Sequence, residues 1–475
     1  MKNPILYHSL KGNCYLYDVE YKSSFLVHPD IKKIHEGEEC FDSYYIRKYK
    51  YYKKYDFFKE MHPIYFEENF NVSLLNENIR NIKQVVFETT DHCNLNCKYC
   101  SLGSVYNFGK IEHKNLDLNR AITLLEYIFK NKIPKSRLSI SFFGGEPLVN
   151  IDLIKKVVLI SKDMSKEKDI ELSFNMTSNA TLIDKHLDFL VKNEFRILIS
   201  LDGNEEGHSY RVFRSNGKNS FDKVINNIDL IKEKYPKYFD EYISFNSVLN
   251  SKSSVKTIYD FIYNRYHKIP RISEMNTDHI KDQSVVDEIF NSRSDSEKEF
   301  LEEDSEFSKI FHDKFLSYKE VERFLKNMTP NFCISNFVYL IYEQVKPVPT
   351  ATCSPFKMKI YLNTNNDLLP CEKVSYKYVL GKVLDNVIID EKELSERFNR
   401  YYHRFKEICK NCYARKTCSI CFLTLENLDS IDNEDFYCPG FQDYDKYKAK
   451  LSRIFSFLEK YPRDFFKVMN ESILN

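Results

Sequence analysis

The chain has 475 residues, with Lys+Arg 70 against Asp+Glu 69, and 13 cysteines. That length exceeds one hydrophobic core, so about two to four domains are expected, and the cancelling charge excludes both the broad basic field of a nucleic-acid binder and a general attraction to anionic lipid. No stretch approaches the roughly 18 apolar residues of a membrane span and the N-terminus lacks a continuous apolar segment, so a cytoplasmic protein is expected, with no nucleic-acid and no membrane partner. In that compartment cysteines stay reduced, which points them to metal or catalysis.

Residues 1–80 stand apart from the rest of the chain. "NCYLYDVEYKSSFLVHPDIKKI" (13–34) predicts a hairpin running into a helix, and "DSYYIRKYKYYKKYDFFKE" (42–60) predicts a helix rich in Tyr and Lys. From 81 to 275 short β-rich runs alternate with amphipathic stretches. "KQVVFET" precedes "NLDLNRAITLLEYIFKNK", "RLSISFFGG" precedes "IDLIKKVVLISKDM", "IELSFNMTS" precedes "KHLDFLVKNEF", and the rhythm continues through "FRILISLDG" and "YISFNSVL". Such alternation implies parallel βαβ units in an α/β fold, and five or six of them fit a partial barrel. Residues 276–345 are highly charged and predict a helical bridge, and a cysteine-rich region occupies 346–475.

The first strand leads into "FETTDHCNLNCKYCSLG" (87–103), with Cys93, Cys97 and Cys100 at the carboxyl edge where parallel α/β folds present functional groups. Three thiolates on a cubane iron–sulfur cluster leave one iron open, and a zinc site with a distant fourth ligand is the alternative. At the end of the second strand, "FFGGEPLVN" offers two glycines that let backbone approach a ligand and Glu146 as an acceptor for an ammonium; the same residues also read as a helix start with Pro147 in its first turn.

CxxxCxxC with an aromatic residue, Tyr99, before its last cysteine resembles the radical S-adenosylmethionine (SAM) enzymes. The resemblance implies a partial (β/α)6 TIM-like barrel, a [4Fe–4S] cluster on Cys93, Cys97 and Cys100, and SAM chelated to the open iron and cleaved to a 5′-deoxyadenosyl radical. It further implies that Gly144, Gly145 and Glu146 receive the SAM amine, that Ser178 and Asn179 in "TSNATLI" contact ribose and carboxylate, and that Ser200 and Asp202 in "ISLDGN" bind ribose. Arg211 or Arg214 pairs with the SAM carboxylate, and Arg211 fits the spacing better. The family's glycine after Asn179 is Ala180 here.

The second cysteine set is Cys353, Cys371, Cys409, Cys412, Cys418, Cys421 and Cys438, whose two CxxC pairs by themselves also suit a zinc ribbon. Together the seven resemble the SPASM domain, with two auxiliary [4Fe–4S] clusters. The resemblance implies one cluster on Cys353, Cys371 and Cys421, completed by Cys333 or left open to substrate, and another on Cys409, Cys412, Cys418 and Cys438. Asn366 stands where that pattern has a glycine, and asparagine tolerates a left-handed backbone. Cys14 and Cys40 match neither set and read as buried thiols.

Taken over nearly its full length, the chain resembles ribosomal-peptide maturases of Bacteroidetes-type bacteria. That implies a precursor peptide substrate, an electron donor such as flavodoxin or ferredoxin, and residues 1–80 as either a leader-peptide-binding subdomain or a cap. A sulfatase-maturase type of enzyme, with Glu372 as proton acceptor, and a zinc-structured adaptor without activity are the two other readings.

Overall fold

A computed structural model describes residues 2–60, 70–100, 113–275, 280, 283–291, 296, 321, 324–325, 349–415 and 418–462. Most of the expected helical bridge, and Cys333 with it, lies outside these residues.

The N-terminal region is a three-stranded antiparallel sheet of β1 (Ile5–His8), β2 (Cys14–Asp18) and β3 (Ser23–Leu26), followed by α1 (Pro29–Glu36) and α2 (Ser43–Lys54). The expected hairpin is β2–β3, and β1 adds a third strand. Of the two thiols expected to be buried, Cys14 packs partly against the small core of Leu6, Leu16 and Phe58, whereas Cys40 lies half-exposed just before the Asp42 cap of α2.

The central sheet begins after α3 (Val72–Arg80). Its parallel part runs in chain order: β4 (Gln84–Thr90), β5 (Arg137–Gly144), β6 (Glu171–Ser178), β7 (Arg196–Ser200), β8 (Ile243–Leu249) and β9 (Arg271–Glu274). Helices α4 (Leu118–Asn131), α5 (Ile151–Lys168), α6 (Leu187–Lys192), α7 (Glu205–His208), α8 (Phe221–Lys234), α9 (Pro236–Tyr242) and α10 (Val255–Tyr266) connect them. In α4 the buried residues Ala121, Leu124, Leu125 and Ile128 recur at helical spacing, and Asp117 caps its first turn through the amides of Asn119 and Arg120. A short α11 (Gln283–Ile289) follows β9. The six strands do not close: among the described residues β9 ends the sheet.

The cysteine-rich region is built onto this sheet. Its strand β10 (Lys359–Leu362) pairs in parallel with β4, placing Ile360 opposite Val85 and Leu362 opposite Phe87. β11 (Asp367–Leu369), β12 (Gly381–Val383) and β13 (Val387–Ile388) continue it as an antiparallel meander, giving a ten-stranded sheet. Asn366, at φ +67°, makes the tight β10–β11 turn in the left-handed conformation expected of it. Two helices finish the described chain, α12 (Glu391–Lys410) and α13 (Tyr444–Lys460). The first is bound to the start of the core by Asn399, which accepts from the Phe70 amide and donates to the Phe70 carbonyl, both at 2.8 Å. The second carries the N-terminal sheet: the Leu6 amide donates to the Tyr444 hydroxyl at 3.3 Å, and the Tyr15 hydroxyl donates to Glu459 at 2.6 Å. No helix among the described residues is long and apolar enough to cross a membrane.

Since β10 covers one side of β4, the parallel core and the cysteine-rich region are expected to fold as one unit. A chain ended at residue 350 should expose the β4 edge and be recovered insoluble, while the full chain should lose both regions in one denaturant transition followed by far-ultraviolet circular dichroism. A soluble, folded fragment would contradict this.

Candidate active site

The loop after β4 carries the first three cysteines. All are partly buried. Burial pushes the Cys93 and Cys97 thiols up to about 12; the Glu146 carboxyl adds to this at Cys93, and the Cys100 sulfur reinforces it at both. Thiols crowded together out of water keep their protons until a cation replaces them, which is what metal-cluster ligation supplies. Donors for a ligating sulfur are in place: the Leu95 amide stands 3.4 Å from Cys93 Sγ and Asn179 Nδ2 stands 3.7 Å away. Among the described residues no three Cys, His, Asp or Glu side chains are close enough to grip one metal ion.

Two glycines press the end of β5 against this loop. A Cβ at Gly144 would fall 2.1 Å from the Thr90 carbonyl oxygen, and one at Gly145 would fall 2.2 Å from the His92 carbonyl oxygen. The approach is sealed by the Gly145 amide on Thr90 O at 2.8 Å and the Glu146 amide on His92 O at 3.0 Å. The glycines therefore admit the cysteine loop's own backbone, where the sequence suggested a ligand. Glu146 also begins a short 3-10 turn at Pro147, so the helix-start reading is realised as well. Its fully buried carboxyl accepts from the Leu148 amide (3.2 Å) and Ser178 hydroxyl (2.8 Å) on Oε1 and from the Asn179 amide (2.7 Å) on Oε2. Burial, only partly offset by these donors, raises it to about 7, and a neighbouring ammonium would restore the carboxylate.

After β6, Asn179 spans back to the cysteine loop, donating to Asn94 Oδ1 at 2.9 Å while Asn94 donates to Thr181 at 2.8 Å. Ala180, in place of the family's glycine, keeps the glycine conformation, at φ +64°, and is wholly buried.

After β7, Asp202 lies fully buried with two donors on each oxygen. Arg211 bonds both oxygens at 2.8 and 3.0 Å, the Val248 amide reaches Oδ1 at 2.8 Å, and the Tyr99 hydroxyl donates to Oδ2. Expected as a ribose contact, Asp202 here has its acceptors taken and instead orients Arg211 and Tyr99, whose ring lies 5.4 Å beneath the guanidinium. The two candidate arginines are also separated: Arg214 donates to the Cys93 carbonyl at 3.1 Å and the Leu95 carbonyl at 3.4 Å, committing it to the loop backbone, while Arg211 faces the site. Ser200 ends β7 half-buried beside them.

The later cysteines gather in two groups. Cys409, Cys412, Cys418 and Cys438 lie within electrostatic reach of one another, and burial pushes Cys409 up to about 12, with its three neighbours adding to it. Cys421 lies within such reach of both Cys353 and Cys371. These are the same two sets into which the sequence pattern divides. Along the parallel strands opens a cavity of about 1470 Å³, whose wall includes the polar Ser141, Asn175, Thr177, Asn246 and Ser273 and the apolar Phe143, Met176 and Leu198. Glu372 is on its wall, with Lys359 Nζ 3.1 Å from each carboxylate oxygen.

Sequence reasoning passed over Glu88 and Tyr376, which meet at this wall; His208 is buried between the Asp202 amide and the Ser220 hydroxyl. Only Glu88 left a trace, as the one charged residue inside the run "QVVFETT".

Gly145→Ala should displace the cysteine loop and lose about four irons, the content of one cubane, from anaerobically prepared protein. Gly217→Ala, where a Cβ meets nothing within 4 Å, should keep them. Equal iron in both would refute the steric argument. Separately, Glu146→Gln should weaken SAM binding in equilibrium dialysis by about tenfold at unchanged iron, having lost a charge-assisted bond to the ammonium but no metal ligand.

Comparison with known proteins agrees with this geometry. The profile of the Radical SAM superfamily matches residues 87–249. The radical SAM cyclopropyl synthase TigE of Paramaledivibacter caminithermalis is 32% identical over 180 residues, 36% of each chain, so the chain matches little more than a third of that relative's length. A cysteine-type anaerobic sulfatase-maturating enzyme of Clostridium novyi is 25% identical over 410 residues, covering 79% of this chain and 98% of the relative. Among solved structures, native anSMEcpe with bound AdoMet superposes with a TM-score of 0.52 at 18% identity, over 82% of this chain and 100% of that one, which speaks to the fold. The strand-end motifs, the three-cysteine loop and the matched profile together identify residues 87–249 as a radical SAM domain, the kind of domain that works with a [4Fe–4S] cluster and S-adenosylmethionine.

Proposed function

We propose that the chain modifies a ribosomally made peptide held in the central cavity. The observation that carries this is the cavity itself: about 1470 Å³ exceeds the roughly 300–1,000 Å³ of small-molecule pockets, and its wall mixes hydroxyl and amide side chains such as Ser141, Asn175 and Asn246 with charged and apolar ones, which suits a peptide's backbone and varied side chains together. Phe143 and Thr177, just before Gly144 and Ser178, bound it on the SAM side, and Glu372 and Thr424, flanking Cys371 and Cys421, bound it on the other. A substrate there lies between two cysteine sites.

Cys93, Cys97 and Cys100 hold the SAM-binding cluster in this reading. Glu146 Oε2, with a single donor, takes the SAM ammonium; Ser178, Asn179 and Ser200 contact the ribose and carboxylate; and Arg211, held by Asp202 and Tyr99, pairs with the carboxylate. Bound together, cluster and SAM supply a 5′-deoxyadenosyl radical. Cys353, Cys371 and Cys421 hold one auxiliary cluster and Cys409, Cys412, Cys418 and Cys438 the other, with flavodoxin or ferredoxin as electron donor. The β3 edge, which has no outer strand partner among the described residues, is where a leader segment would add a strand, and a capping role is the other reading of residues 1–80.

A second reading, sulfatase maturation, is favoured by the likeness over 98% of the Clostridium novyi enzyme and by Glu372 facing the cavity directly after Cys371. The Lys359 ion pair opposes it, because it engages both oxygens that would have to meet the substrate.

The anaerobic protein should carry about twelve irons if three cubanes form, and replacing Cys93, Cys97 and Cys100 together by Ala should remove about four and abolish SAM cleavage. Mass spectrometry with dithionite, SAM and peptides encoded beside the gene, compared with the Cp18Cys peptide bound by the anSMEcpe relative, separates the readings by which peptide changes mass. Full iron in the triple variant would remove the site assignment.

A further inference from the structure

Glu88 is a carboxylate that none of these roles uses. It is the fifth residue of β4 and fully buried, and among the described residues no Lys, Arg or His stands within ion-pair distance of it. A lone charge in a strand is costly unless hydrogen bonds replace its water, and here three do. Tyr376 Oη donates to Oε1 at 2.5 Å, the Thr364 amide donates to Oε2 at 2.9 Å, and the Thr364 hydroxyl donates to Oε2 at 3.3 Å. Tyr361 on β10 adds a fourth oxygen, its hydroxyl 3.5 Å from that of Tyr376.

Position gives this cluster a direction. Tyr376 lines the cavity, whereas Glu88 does not reach it, so the only described route from the cavity to Glu88 along these bonds passes through the Tyr376 hydroxyl. The acid that does line the cavity nearby, Glu372, is tied by both oxygens to Lys359.

We infer that Tyr376 and Glu88 form a proton relay that carries a proton out of the substrate cavity. In the step, a heteroatom–hydrogen or acidified carbon–hydrogen bond of the substrate breaks heterolytically and leaves its electron pair on the substrate. The proton bonds to Tyr376 Oη while the phenolic proton of Tyr376 moves to Glu88 Oε1. Tyr376 ends as a neutral phenol and Glu88 as a neutral acid; no electron changes hands and no further reagent is needed. Burial raises the proton affinity of Glu88 above that of an ordinary carboxylate, despite its donors. Burial also raises Tyr376, with the charge of Glu88 adding to it and that of Asp91 contributing, so a free tyrosinate is disfavoured and the two transfers go together. Tyr376 is then a catalytic residue and Glu88 a positioning residue and proton terminus behind it.

The inference rests on the peptide-modification reading, because it needs a substrate that loses a proton in the cavity. The test uses holoenzyme with SAM, dithionite and the peptides encoded beside the gene, with the Cp18Cys peptide in parallel, and follows two products, 5′-deoxyadenosine and modified peptide. Their ratio reports coupling. In Tyr376→Phe and Glu88→Gln the modified peptide formed per 5′-deoxyadenosine should fall about 100-fold, the scale of a lost general base, with partial recovery in Glu88→Asp; Tyr437→Phe, at an exposed tyrosine, sets the reference. A wild-type ratio in Tyr376→Phe overturns the relay, as does a loss confined to Glu372→Gln. If wild-type protein forms no peptide-dependent 5′-deoxyadenosine, the peptide-modification reading falls, and the relay with it. Should Glu88→Gln lose iron through misfolding, Tyr376→Phe, which keeps the ring, decides alone.

Discussion

The contact between two stretches of backbone, Gly144–Glu146 and Thr90–Cys93, is the constraint on which the rest of the site depends. It exists because neither glycine has a Cβ: the positions where one would stand are already filled by carbonyl oxygens. Once these backbones touch, Glu146 is set where its carboxyl can reach the end of β6, Asn179 is set where it can reach Asn94 and Cys93, and three consecutive strand ends become one surface. Polar side chains then bond to one another across strand ends while the apolar run of each strand is buried below.

A second constraint comes from β4. It receives β5 on one side and β10 on the other, so a strand from residue 359 onward completes the sheet begun at residue 84. The cysteine-rich region is consequently no appendage. Cys371 follows β11 directly, with Glu372 beside it on the cavity wall, and the buried Glu88 on β4 bonds to Thr364 and Tyr376 of that same chain. The N-terminal sheet is carried in turn by α13, which places the two ends of the described chain against each other.

Much of the site was legible in local patterns. The alternation of β-rich and amphipathic runs corresponds to β4–β8 in order, because strands β5–β8 bury alternate residues while polar residues between them line the cavity. The later cysteines lie near one another in the two groups that the SPASM resemblance implies, with the Cys418–Cys421 pair split between them. Two departures from family glycines also proved readable: Ala180 and Asn366 both adopt positive φ, at 64° and 67°, because the turn geometry is set by the strands around it and the residue has to follow. Nothing in "SLDGN" says that Arg211 and Tyr99 fold back onto Asp202.

By itself the sequence determined the class of fold and the three-cysteine loop at a strand end. Those features depend on residues a few positions apart or on a repeated period, and short-range sterics and periodic burial decide them. Tertiary structure alone decided which carboxylates are free. Glu372 is held by Lys359, thirteen residues away; Asp202 is saturated; and Glu88, 288 residues from Tyr376, is joined to it only because β10 lies beside β4. An acid's chemistry is set by the donors and charges within a few ångströms, and in this chain those arrive from distant segments.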